Sequence, residues 1–190
     1  MLGLLASVAL LARMLPQPVR LWRTRLADGV SPLAAMNSVI ADAGWLVYGL
    51  SVGLVPVWGM SALVLIPGVW TAALLVRVTT RRDLTAALAW LAVVMACGLS
   101  GHLGAVLALS VAVIQGPQVT RALRRSDLAG IAPATYWLSL ADAGLWGAYG
   151  VAVGDGALVG YGVVLAAAAV TVLVRLALTR PMAPLYARPA

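Results

Sequence analysis

The chain has 190 residues, 63% of them hydrophobic, a mean hydropathy of +0.99 and a net charge of +7 from 13 arginines against 6 aspartates. A soluble domain of this length must still cover itself with polar surface, so the composition excludes one and places the chain in a lipid bilayer. The arginines sit in short turns between apolar runs instead of on one face of a soluble module, which argues against a nucleic-acid partner.

A spanning helix needs about 20 mostly apolar residues. Seven runs meet or approach that length: Leu2 to Trp22, Leu33 to Leu54, Pro56 to Val76, Leu84 to Gly101, Leu103 to Leu123, Ala134 to Gly154 and Ala157 to Leu176. The N-terminal MLGLLASVALLA lacks the basic leader of a signal peptide and runs into Pro16-Gln17, so it reads as a retained first helix. The expected architecture is an all-α membrane protein of seven transmembrane helices. Residues 1–76 form a first three-helix bundle, 77–101 a cytoplasmic turn and a single linker helix, 102–176 a second bundle, and 177–190 a cytoplasmic tail.

This division rests on an internal repeat. Pro16–Gly49 laid on Pro117–Gly150 without a gap matches at 10 of 34 positions, among them Pro-Gln, two arginines, Pro32/Pro133, Ser38/Ser139, Trp45/Trp146 and the closing Tyr-Gly. Two copies of three helices pointing the same way need an odd number of helices between them, which assigns the fourth run to a linker. Twelve arginines lie in the turns after helices one, three and five and in the tail, and none in the opposite turns near Leu54, His102 and Asp155. That asymmetry orients the chain in the cell membrane with the N-terminus outside and the C-terminus cytoplasmic. At the arginine-free turns Gly49 and Gly53, like Gly150 and Gly154, are spaced for close helix contact and equally for helix termination.

Asp42 and Asp142 are the acids at membrane depth, each inside an Ala-Asp-Ala-Gly segment. A carboxylate at a helix centre costs about 2.5–3.5 kcal/mol on insertion scales, so each is expected to face a partner, water or a transport path. Ser38, Asp42 and Trp45 follow at helical spacing, as do Ser139, Asp142 and Trp146, which puts each trio on one helix face. In the ungapped alignment the two acids are one residue apart, a rotation of about 100°. Arg13 precedes Pro16 by one turn and stands outside the cytoplasmic arginine set. Gln17, Gln115 and Gln118 are placed to satisfy carbonyls freed at proline breaks.

Catalysis is not expected. Gly98-Leu99-Ser100-Gly101 imitates a rhomboid serine motif, but His102 is the one histidine, so no second one exists to act as base. Neither a phosphate-cradling loop nor a cluster of metal ligands is present, so no cofactor and no metal is expected. Cys97 cannot form an internal disulfide and reads as a buried thiol.

Paired Pro-Gln helices, a basic turn, Gly29-Val30-Ser31-Pro32 and the endings Trp45-x-x-Tyr48-Gly49 and Trp146-x-x-Tyr149-Gly150 resemble the PQ-loop superfamily. The three-one-three order resembles its SWEET sugar-transporter branch over about residues 1–176. The resemblance implies hinges at Pro16, Pro32, Pro117 and Pro133, although Pro32 and Pro133 also suit the first turn of a helix. It implies a sugar site using Trp45 and Trp146. The asparagines that complete such a site are replaced here near Ser61 and Gly162, with Trp58 and Tyr161 close by, and Asp42 and Asp142 join as candidate contacts.

The function so implied is passive uniport of a mono- or disaccharide by alternating access. Asp142 also resembles the proton-accepting acid of cystinosin-like PQ-loop carriers, so a proton-coupled carrier of an amino acid or small metabolite through Asp142 or Asp42 stands beside it. A non-transporting membrane receptor or scaffold is the third reading. The expected partners are the bilayer and a small solute, and self-association into a homo-oligomer is left open.

Overall fold

The structure is a computed structural model that describes residues 3, 7, 8, 10, 11, 16–24, 30–124 and 132–179. Among them the backbone forms α1 (Pro16–Thr24), α2 (Pro32–Ser51), α3 (Val55–Leu75), α4 (Arg81–Leu99), α5 (Leu103–Arg124), α6 (Pro133–Val153) and α7 (Gly156–Thr179), with a 3-10 turn at Val76–Val78. By length and apolar content α2, α3 with its 3-10 turn, α4 and α7 are each fit to cross a membrane. A fifth is α5, if Leu103–Gly116 and Gln118–Arg124 are taken as one span bent by 43°. The 21 residues of α3 rise about 31 Å, close to the hydrocarbon thickness of a bilayer.

Local chemistry sets the helix starts. Ser31 Oγ accepts from the Ala34 amide at 3.3 Å, and Pro32 follows at the first helical position, where its missing N–H costs nothing. Pro133 likewise stands in the first turn of α6, there without a side-chain cap. α4 begins three residues before the apolar run that marks it in the sequence. There Thr80 and Asp83 form a reciprocal capping box, with Asp83 N donating to Thr80 Oγ1 at 3.1 Å and Thr80 N to Asp83 Oδ2 at 3.0 Å.

The paired glycines divide the two tasks open to them. Gly53 (φ 72°) and Gly154 (φ 71°) end helices in the left-handed region. Gly49 and Gly150 let neighbouring helices meet: a methyl on Gly49 would sit 2.6 Å from Trp58 N, and one on Gly150 2.8 Å from Val159 N. Trp58 and Val159 occupy the same place in the two copies, since both the Pro16/Pro117 and the 58/159 pairs differ by 101 residues.

The helices pack in matching patterns. In the first copy α2 and α1 both lie against α3, where Trp22 and Trp70 meet with ring centroids 6.3 Å apart; in the second, α6 and α5 both lie against α7. α4 touches α2 and α5, and α2 touches α5. The last contact is close because Gly44 has no side chain: a methyl there would lie 2.6 Å from Leu107 Cδ2. One buried cluster joins Trp45, Val57, Met60 and Val64 to Val106, Leu107, Trp146 and Leu158, with Trp90 and Cys97 of α4 packed on its side. This cluster sits between the copies and two smaller ones lie inside the second bundle, while Leu63, Ile66, Val69, Val163, Val170 and Val174 are exposed on α3 and α7, as suits faces turned to lipid.

Candidate functional site

A cavity of about 100 Å³ lies at this junction, with room for several waters. Its wall is built from repeat-related pairs: Leu10 with Val111, Trp45 with Trp146, Val57 with Leu158, Met60 with Tyr161 and Val64 with Leu165. Each pair differs by the 101 residues of the sequence repeat. A site so lined straddles a pseudo-two-fold relation between the copies, and its departures from symmetry give it chemical character.

The aromatic pair is part of this wall. Trp45 and Trp146 are 8% and 5% exposed, and each is met edge-on by the tyrosine three residues later, Tyr48 at 5.6 Å and Tyr149 at 5.9 Å between ring centroids. Trp45 also meets Tyr161 of α7 edge-on at 5.8 Å. Such T-shaped contacts fix ring orientation beyond what burial alone supplies.

The acids occupy different shells. Ser38, Asp42 and Trp45 all line the cavity, so the first trio is present as one face of α2. Asp42 Oδ2 lies beside Gly68 of α3, where a methyl would be 3.7 Å away. In the second trio only Trp146 reaches the cavity. Asp142 is 0% exposed and accepts a 2.9 Å hydrogen bond from the Tyr161 hydroxyl, and Ser139 turns back to donate to the Thr135 carbonyl at 3.0 Å. Asp142 is the repeat mate of Ala41, not of Asp42; Ala41 lines the cavity and Asp142 does not, its carboxylate being bonded by Tyr161, which does.

Ser61 and Tyr161 line the cavity, whereas Trp58 does not; its backbone serves the close approach at Gly49. Ser110 and Gln115 of α5 also reach the lining, as does Met60. The repeat signals Met60, because it is the mate of Tyr161. Gln118 Oε1 accepts from the Tyr136 hydroxyl, which leaves its NH2 group as the donor for a freed carbonyl. The chain's single asparagine, Asn37, is buried on α2 outside the lining, with Oδ1 unmatched among the described residues. Arg13 lies outside the described residues.

At the arginine-free end the copies are tied together. Tyr48 donates from its hydroxyl to Asp155 Oδ2 at 2.7 Å, and Asp155 Oδ1 accepts from the Leu158 amide at 2.9 Å, capping α7. Two matching contacts flank this bond. A methyl on Gly104 would lie 2.7 Å from Ala157 Cβ and 2.9 Å from the Tyr48 ring, and one on Gly3 would lie 2.8 Å from Pro56 and 3.5 Å from the Tyr149 ring. Leu54 stands in the first copy where Asp155 stands in the second, so the hydrogen bond exists on one side only.

Of the four prolines, Pro32 and Pro133 begin α2 and α6, Pro16 begins the described part of its helix, and Pro117 falls at the 43° bend of α5. A bend is what a helix does where a proline ring displaces the preceding carbonyl and no N–H replaces the lost bond. Among the described residues no group of three metal-ligating side chains occurs.

By sequence, no family model matches the chain and no curated protein does. By structure it is similar to the 3.7 Å structure of a eukaryotic SWEET transporter, with a TM-score of 0.71 over 94% of both chains and 16% identity. At that identity the likeness is one of fold, and the chain carries the fold of a SWEET transporter.

Proposed function

We propose that the protein is a membrane transporter that carries a small polar solute, a mono- or disaccharide, by passive alternating access. The observation that carries this reading is the cavity between the two copies, walled by repeat-related residues that include Trp45 and Trp146. A binding site on a pseudo-two-fold axis is what two half-bundles need if each is to open it in turn to one side of the bilayer. Counting the run from Leu2 to Trp22 as the first span, the chain has seven spans in a three-one-three order, with α4 as linker. The arginine asymmetry places the N-terminus outside and the C-terminal tail in the cytoplasm.

In this mechanism Trp45, Trp146 and Tyr161 offer flat apolar faces to the C–H side of a sugar ring, and Ser38, Ser61 and Asp42 offer hydrogen bonds to its hydroxyls. The Tyr48–Asp155 bond holds the arginine-free end shut. Pro117, at the bend of α5, and Pro16, its repeat mate, are the points at which the bundles flex, while Pro32 and Pro133 fix where the second helix of each bundle starts. The buried Asp142, reached from the cavity through Tyr161, supports the second reading, a proton-coupled carrier.

A solute screen in proteoliposomes at two external pH values separates the readings. Sugar flux that follows the solute gradient at both pH values is the expected result. Flux driven by external acid would replace uniport by proton coupling, and no flux of any solute would leave a receptor or scaffold.

A further inference from the structure

We propose that the face where α1 meets α3, at the arginine-rich end, is a binding site for the headgroup of an anionic phospholipid. Trp22 and Trp70 touch there with ring centroids 6.3 Å apart, yet they stay 51% and 38% exposed. Neither indole N–H has a hydrogen-bond partner among the described residues. A tryptophan at a membrane surface lays its ring among acyl chains and keeps its N–H for the polar layer above them. Two in contact form a platform with two donors.

Cationic charge lies next to the rings. Arg23 follows Trp22, Arg77 comes seven residues after Trp70, about two turns nearer the arginine-rich end, and Arg81 opens α4. All three are exposed, and none is held in an ion pair among the described residues. Asp83 is the acid described at that end. Its carboxylate accepts from Thr80 and lies beside Arg82, which leaves Arg23, Arg77 and Arg81 uncompensated. A phosphodiester carried on acyl chains meets this pattern. Guanidinium groups fork onto phosphate oxygens, while the chains run along Ile66 and Val69, which are exposed on α3. A zwitterionic headgroup brings a cation of its own toward the arginines, so an anionic one is favoured.

The second copy lacks the platform. The repeat mates of Trp22, Trp70 and Arg77 are Leu123, Thr171 and Leu178, whereas Arg23 keeps its counterpart in Arg124. Arg121 and Arg124 are exposed on that bundle, so cationic charge is present there without the rings. General attraction of arginines to an anionic surface would serve both bundles alike. The tryptophan pair singles out the first.

The test is native mass spectrometry of the full chain in a neutral detergent, titrated with palmitoyl-oleoyl-phosphatidylglycerol or with the matching phosphatidylcholine. The expected result is one tight site for phosphatidylglycerol, about tenfold stronger than for phosphatidylcholine. An arginine near an anionic headgroup contributes a factor of about five, so Arg77→Gln with Arg81→Gln weakens phosphatidylglycerol about 25-fold. Trp22→Leu with Trp70→Leu leaves the charges in place and weakens it about tenfold, through loss of two N–H donors. Arg121→Gln with Arg124→Gln, on the second bundle, leaves the affinity unchanged. These side chains are all exposed, so the variants keep the buried core. Equal affinity for the two lipids, or equal weakening by the second-bundle pair, overturns the site. Displacement of phosphatidylglycerol by inorganic phosphate overturns the lipid assignment and leaves a site for a soluble phosphate. Binding is read without flux, so none of these outcomes bears on the transport reading.

Discussion

Replacing Tyr48 by Phe removes one oxygen, the one that donates at 2.7 Å to Asp155 across the arginine-free end. The ring stays, with its edge-on contact to Trp45 at 5.6 Å, and Asp155 still caps α7 through the Leu158 amide. A hydrogen bond to a carboxylate contributes about 1.5–3 kcal/mol, and for a partly exposed pair the lower value applies. About 1.5 kcal/mol taken from the closed state raises the population open at that end about tenfold, because 1.4 kcal/mol is a factor of ten in an equilibrium. Met60 reports it: it lines the cavity and is 3% exposed. With Met60→Cys in a Cys97→Ala background, an impermeant thiol reagent applied from the arginine-free side should label the Tyr48→Phe protein about tenfold faster. Tyr149→Phe is the control, since Leu54 holds the position equivalent to Asp155 and offers no acceptor. An unchanged labelling rate in Tyr48→Phe, or an equal acceleration in Tyr149→Phe, refutes the latch.

Four further outcomes are expected. For orientation, a cysteine at His102, which is exposed in an arginine-free turn, should react with an impermeant reagent in intact cells, whereas one at Asp83 should not; the reverse pattern inverts the topology. Replacing Pro16 and Pro117 together by Ala should leave a folded protein whose solute binding survives better than its flux, and flux equal to wild type would assign both prolines to architecture alone. If uniport is correct, Asp142→Asn should retain pH-insensitive flux with altered affinity at most, because the amide still accepts from Tyr161; loss of accumulation with counterflow preserved would instead make Asp142 the proton carrier. Gly150→Ala should destabilise the protein by about 1–3 kcal/mol, as overpacking a close helix contact does, since its methyl would sit 2.8 Å from both Leu158 Cβ and Val159 N. A melting temperature of the solubilised variant equal to wild type would sink that claim.

The sequence by itself determined where the helices from Leu33 onward lie and that two stretches repeat; of the run Leu2 to Trp22, residues 2, 4–6, 9 and 12–15 lie outside the described residues. A membrane helix satisfies its own backbone, so apolar length and the turn residues decide its span without help from the rest of the chain. The runs Leu33–Leu54, Pro56–Val76 and Leu103–Leu123 accordingly meet α2, α3 and α5 within three residues at either end. α4 started early because a capping box draws a helix back through polar residues that a hydropathy pattern leaves out. The pairing of Trp45 with Trp146 was also legible, since the two share one register in the repeat. Only the tertiary structure decided which polar groups meet the cavity. Ala41 and Asp42 both line the cavity while Asp142, the repeat mate of Ala41, does not, so register in the repeat alone does not tell which acid faces inward. Tyr161 stands between Asp142 and the cavity, Gly162 is closed by Ala143 and Gly147, and Trp58 spends its backbone on Gly49. The Tyr48–Asp155 bond joins residues 107 positions apart. No local pattern announces such a pair, because its energy exists only once two bundles have folded and met.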